Sequence, residues 1–352
     1  MTFVPPRCPH RDCAAHVDPR PGFSRRSGSY WPRCRSEPVP RFRCVMCRRS
    51  FSRQTFRHDF GDRRPDCNAP LFMLVNSGVG LRQIGRLLRL DINSVQHKHR
   101  KIARTCGLLH DNLSPELPEG RTFQLDEEET YEGASIRPVT MPVLIEKETW
   151  FIVATAVGSI RRLAPEGTRR RKRQELEEET SGPRPDESSQ CVQAVLEELR
   201  RKVPKGRLRL HSDQKASYAL LARQVFGERI DHVKTSGHRI RHTHNPLFAI
   251  NTTLAMSRDN CGRLRRKSWL VSKCKRFLAA QMAVFAVYRN YVRRRFNRDA
   301  PHETPARYLE LLPRPLQGGE VLAWRQDWGA RSIHPLSYEA DRTVSERIPV
   351  VA

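Results

Sequence analysis

Two sets of residues in this chain have the type and spacing to do chemistry. The first is four cysteines, Cys8 with Cys13 and Cys44 with Cys47, in a C-x4-C and a C-x2-C pair. Zn2+ takes four sulfur or nitrogen ligands in a tetrahedron, and two short knuckles on facing turns supply them. The second pair, in RCVMC, has the common spacing, whereas the first is looser and His10 or Cys34 could stand in for one ligand. With all four positions filled no place remains for water, so the zinc is expected to be structural. It would present Arg41, Arg43, Arg48 and Arg49 to phosphates. The second set is acidic: Asp126 in QLDEEETY and Asp213 at the end of RLRLHSD. Acids at the ends of neighbouring strands can share Mg2+ or Mn2+, and phosphoryl transfer on DNA uses such a pair. Two cations about 4 Å apart activate the attacking oxygen and stabilise the leaving one. A single acid at a strand end is as often a solvated or capping residue. Glu127, Glu128 and Glu129 are expected to form a solvated acidic rim, from which one could serve as a substitute ligand.

These residues need elements to hold them. Residues 1–58 are rich in Arg and Pro and poor in large aliphatics, so a metal staple is what would fold them. Helical spacing of apolar residues follows in APLFMLV, LRQIGRLLRL and NSVQHKHRKIARTCGLL, predicting three helices. The middle stretch reads as a helix over 81–89, a break at Leu90–Asn93 and a second helix from Ser94, with Gly85 at a close crossing. On that second helix Gln96, His97, Lys98, His99, Arg100 and Lys101 can reach base edges and phosphates. A basic helical hairpin packed on a neighbouring unit would share this pattern.

After SPELPEG, the runs TFQLDEEETY, VTMPVLIEK and TWFIVATAVGSI predict three consecutive antiparallel strands. A basic and then an acidic block at 165–190 reads as a disordered insertion. Beyond it come a helix, the strand RLRLHSD and another helix; strand, strand, strand, helix, strand is the ribonuclease-H-like order that holds acids at adjacent strand ends. The stretch FLAAQMAVFAVYRNYVRRRF predicts a long core helix, preceded by a basic cluster that includes Arg258, Arg263, Arg265, Arg266, Lys267, Lys273, Lys275 and Arg276. His238, His242 and His244 lack diagnostic spacing and read as polar loop residues.

Sixty-four Lys and Arg against 38 Asp and Glu leave a formal charge of +26 over 352 residues, which points to a polyanionic partner, here double-stranded DNA. No apolar run reaches about 18 residues and no signal peptide opens the chain, so a soluble, cytoplasmic protein with reduced or metal-bound cysteines is expected. The segments CPHRDC, RFRCVMCRRSFSRQTFR, LRQIGRLL, QLDEEETY, LHSDQKASY and RLRRKSWLVSK, in this order, resemble bacterial insertion-sequence transposases of the DDE type with an N-terminal zinc ribbon. The resemblance spans most of residues 8–295. It implies that Asp126 and Asp213 are the first two acids of a catalytic triad. The third, usually Glu, would lie on the helix before RLRRKSW, where this chain has Asn251. Asn can ligate through its carbonyl oxygen but brings no charge, and Asp259 is the nearest acid.

The resulting expectation is a multidomain α+β protein: a zinc ribbon (1–58), a helix-turn-helix (66–114), a ribonuclease-H-like α/β domain with a mixed sheet (120–300) and a C-terminal extension (301–352). Its function would be metal-dependent cleavage and strand transfer at element ends, possible as a homo-oligomer on DNA. The alternatives are a non-catalytic DNA-binding protein and a nuclease without strand transfer.

Overall fold

The computed structural model describes residues 3–237, 239–240, 242–265 and 270–324. Near the N-terminus the short helix α1 (Ala14–Val17) precedes an antiparallel sheet of β1 (Ser24–Tyr30), β2 (Val39–Cys44) and β3 (Ser50–Ser52), in that order. Poor in large aliphatics, this unit builds its small core from Phe42, Phe51 and Phe56 beside Cys8, Cys13 and Cys44. Phe42 stacks on Phe51 at 5.9 Å, and Phe56 meets Phe51 edge-on at 5.8 Å.

Three helices follow: α2 (Asn68–Val75), α3 (Leu81–Leu88) and α4 (Ile92–Leu113). Helix α3 ends on Arg89, whose φ of 53° turns the chain left-handed. Helix α4 begins two residues earlier than the apolar pattern predicts. Asp91 caps it, accepting a hydrogen bond from the Asn93 amide at 2.8 Å. Between them Gly85 sits where a Cβ would fall 2.8 Å from the Leu90 carbonyl oxygen, so the crossing requires a residue without one. The buried faces of these helices share one core with the sheet described next, through Leu71, Ile84, Ile102 and Leu109.

That sheet is six-stranded and mixed. A tight turn at Gly133 (φ 79°) joins β4 (Thr122–Glu132) to β5 (Ala134–Glu146); β6 (Ile152–Thr155) and the two-residue β7 (Gly158–Ser159) also pair with β5. All these pairings are antiparallel. On the other side of β4 lie β8 (Leu208–Ser212) and then β9 (Ile230–Lys234), both parallel, giving the order β6-β5-β4-β8-β9. Strand alternation splits the core in two. Phe123, Leu125 and Leu144 face α4, α6 (Ser188–Lys202) and α7 (Ala216–Phe226). Val139, Met141, Val143 and Ile145 face α8 (Phe248–Asn260) and α9 (Lys275–Val287).

Residues 165–190, expected to be disordered, instead contain helix α5 (Arg169–Ser181), capped by Thr168. Its attachment is polar, which is why the absence of apolar residues misleads. Gln174 is buried and bonds the Ala164 amide at 2.8 Å and the Arg162 carbonyl at 2.9 Å, while Arg137–Glu177 and Arg161–Glu178 pair at 2.6 and 3.1 Å. The predicted long helix stops at Val287 and relaxes into a π-helical turn over Tyr288–Val292. There Asn290 bonds both the amide and the carbonyl of Ile152, covering edge strand β6. The start of the C-terminal extension belongs to the main core: α10 (Pro305–Tyr308) and α11 (Gly318–Ala323) bring in Ala306, Leu309, Val321 and Leu322, and Trp324 follows. Residues 325–352 lie outside the described residues. Among the described residues no helix is long and apolar enough to cross a membrane.

Candidate functional site

The four cysteine sulfurs converge, all within 4.8 Å of one another. Cys8 to Cys47 and Cys13 to Cys44 both measure 3.7 Å. Four sulfurs about 2.3 Å from one tetrahedral ion stand about 3.8 Å apart, whereas a disulfide needs about 2.05 Å. The set is thus compatible with structural zinc. Backbone turns position it: the Cys8 amide bonds the Ala15 carbonyl, Cys13 bonds His10, and Cys44 bonds Arg49. Cys34 instead donates to the Asp62 carbonyl at 3.3 Å, and His10 is outside the cluster, so neither alternative ligand takes part. Burial raises the Cys47 thiol, but hydrogen bonds from the backbone and side chain of Arg49 outweigh it and bring it down to about 6. Burial pushes the Cys8 thiol up, outweighing a hydrogen bond from the His10 backbone that lowers it. Arg41, Arg43, Arg48 and Arg49 are exposed beside the site, with Arg49 held to Asp12 at 2.5 Å.

The acids come next. Strands β4 and β8 pair with Thr122 opposite Arg209 and Gln124 opposite His211. Asp126 lies two residues beyond the last paired position on β4, and Asp213, the first residue after β8, lies two beyond its own. Asp213 turns the chain into α7 by accepting from the Lys215 amide at 3.0 Å. Both carboxylates act on Tyr218, whose hydroxyl is pushed up by burial first and then by Glu127, Asp126 and Asp213. Helix α8 runs alongside β4. Its Ile250 amide donates to Gln124 at 2.8 Å, and further on Arg258 pairs with Glu128. Those two contacts bracket Asp126 along β4. Asn251 follows Ile250 on α8 and is half-buried. Its side-chain amide donates to the Leu247 carbonyl at 2.9 Å. Asp259 is exposed.

Glu127, Glu128 and Glu129 do not form a solvated rim. Glu127 points to the opposite face of β4, where it takes Lys215, Thr140 at 2.7 Å, Ser188 at 3.0 Å and Tyr218 at 2.8 Å. Burial raises its carboxyl, yet Lys215 and these hydroxyls hold it below the usual range. Glu128 is 2% exposed against Arg258, and Glu129 pairs with Arg162 at 2.5 Å. Among the described residues the cysteines form the one cluster of three or more metal-ligating side chains.

Of the residues expected to touch DNA, His97 and Arg100 are exposed and Gln96 half-buried. Lys98 is not available. It is 6% exposed and bonds Asp62 at 2.9 Å, the Arg64 carbonyl at 2.8 Å and Asn68 at 2.9 Å. Lys101 reaches the same Asp62 at 3.1 Å, and His99 is fully buried. The exposed stripe of α4 is Asn93, His97, Arg100 and Arg104, spaced four, three and four, so helical period alone would have identified Asn93 and Arg104. Arg265 is exposed and reaches the Asp259 carbonyl at 3.5 Å. Arg266, Lys267 and His238 lie outside the described residues. His242 and His244 have rings 5.7 Å apart and hold no metal cluster among the described residues. The sequence matches no protein-family model and no curated protein.

Proposed function

We propose that this chain is a transposase-type DNA-binding protein that cleaves DNA through a divalent cation held by Asp126 and Asp213. One observation carries the reading: β4, which holds Asp126, pairs in parallel with β8, Asp213 is the residue that follows β8, and α8, packed along β4, carries Asn251. The strand order and the direction of each pairing support a ribonuclease-H-like arrangement. The α3–α4 pair, with its tight crossing at Gly85, supports a helix-turn-helix, and the cysteine cluster supports a zinc ribbon. The large positive charge fits a duplex partner.

Mg2+ or Mn2+ bound by the two aspartates would polarise the scissile phosphate and the attacking oxygen. Asp126 and Asp213 would hold it, and Glu127 fastens the start of α7, just after Asp213, to β4 through Lys215 and Tyr218. The residues fit one cation better than two, because Asn251 adds no charge and Glu128 is committed to Arg258. That pairing favours a second reading, a non-catalytic DNA-binding protein. Incubating the chain with end-containing duplex and Mg2+ or Mn2+ separates the two. Nicking that vanishes in Asp126→Ala and Asp213→Ala supports catalysis; salt-sensitive binding without nicking supports the second reading. Product analysis distinguishes cleavage alone from strand transfer.

A further inference from the structure

Three arginines from separate elements surround one ring, that of Phe277 in the first turn of α9. Arg100 of α4, Arg263 in the turn after α8, and Arg276 place their guanidinium carbons 6.0, 5.3 and 5.2 Å from its centroid. A ring has two faces, so cation–π attraction does not account for three cations. None of the three pairs with a carboxylate among the described residues, in a chain where many other arginines do.

Beneath this cluster the protein is short of partners. Arg263 gives one bond, to Ser272 at 3.3 Å, while its buried Nε has no partner among the described residues. Both ring nitrogens of His99, which is fully buried, are likewise without partners. Burial pulls Arg263 down to about 10, and burial followed by Arg263 pulls His99 down to about 3, so the imidazole is neutral and cannot add a fourth charge. Helix α9 opens here without a side-chain cap, and its N-terminal end adds positive potential. A desolvated cation without a counter-ion is costly, and an arriving anion relieves it.

We propose that Arg100, Arg263 and Arg276 around Phe277 form a phosphate-binding site. Resting on the DNA reading above, the phosphate it takes is one in a duplex backbone, gripped where the exposed stripe of α4 meets the segment leaving α8. The site thus ties DNA held on α4 to the helix packed along β4.

Two measurements on the full-length, zinc-loaded chain test this. In the first, inorganic phosphate is titrated against chloride at matched ionic strength while thermal unfolding is followed. Phosphate raises Tm in the wild type and in Arg223→Gln, an exposed control, but not in Arg263→Met or Arg276→Gln. Arg276 is exposed, so the second variant leaves the fold intact. In the second, duplex binding is measured across a salt series. Arg100→Gln and Arg276→Gln each lower the slope of log K against log salt by about 1, independent of sequence. Loss of the phosphate response with no duplex binding by the wild type keeps the anion site and removes DNA as its source. A wild type indifferent to phosphate, or variants that respond as it does, overturns the proposal.

Discussion

Replacing Lys98 with Met separates what its position in a basic helix suggests from what its surroundings require. The ammonium is buried against Asp62, whose side chain is 5% exposed, and it satisfies the Arg64 carbonyl and Asn68 as well. Removing one partner of such a pair costs about 3–5 kcal/mol, because the other charge stays buried. Here Lys101 remains at 3.1 Å and Asn68 still donates at 3.0 Å, which offsets part of it, so a loss of roughly 2–3 kcal/mol is expected. Burial raises the Asp62 carboxyl, but Lys98, Asn68 and Lys101 bring it below its ordinary 3.8. A depressed carboxylate stabilises the fold above its unfolded value and loses that contribution as pH falls through the folded one. The difference between Lys98→Met and wild type is therefore full at neutral pH and shrinks in strong acid. Urea unfolding followed by circular dichroism measures it, with duplex affinity across a salt series alongside. A variant as stable as wild type whose salt slope drops by about 1 would refute the reasoning and return Lys98 to the DNA surface.

Cys44→Ser should abolish stoichiometric zinc, seen by native mass spectrometry, and raise amide exchange across residues 8–56 while the six-stranded sheet keeps its protection; one retained zinc per chain would contradict the four-cysteine site. Gly85→Ala should destabilise by about 1–2 kcal/mol, the clash with the Leu90 carbonyl outweighing the better helix propensity, and a raised urea midpoint would show that the crossing has room. His58, His99 and His110 are lowered chiefly by burial to about 4, 3 and 3. Their unfolded forms take up protons below about 6.5 while the folded forms do not, so stability should fall from pH 6.5 toward 4 with an uptake approaching three protons on unfolding. A flat stability profile over that window would mean these rings are not buried neutral.

The amino-acid order by itself determined the local features. Apolar spacing of three and four placed α2, α3 and α4, because side-chain direction repeats with the period of the backbone; β-type runs between polar turns placed β4, β5 and β6, and the cysteine pairs marked the four-cysteine cluster. It also singled out Asp126 and Asp213 as candidates, though not the parallel pairing of β4 with β8, the strands that carry the one and lead into the other. Tertiary structure alone decided which charges are free. Lys98 meets Asp62 across 36 positions and Arg258 meets Glu128 across 130, so nothing in their immediate neighbours distinguishes them from solvent-facing residues. Helix α5 was hidden for the same reason, since its anchors are ion pairs and a buried glutamine and not an apolar stripe. Periodicity is a property of neighbours along the chain; the cost of burying a charge depends on what the fold brings against it.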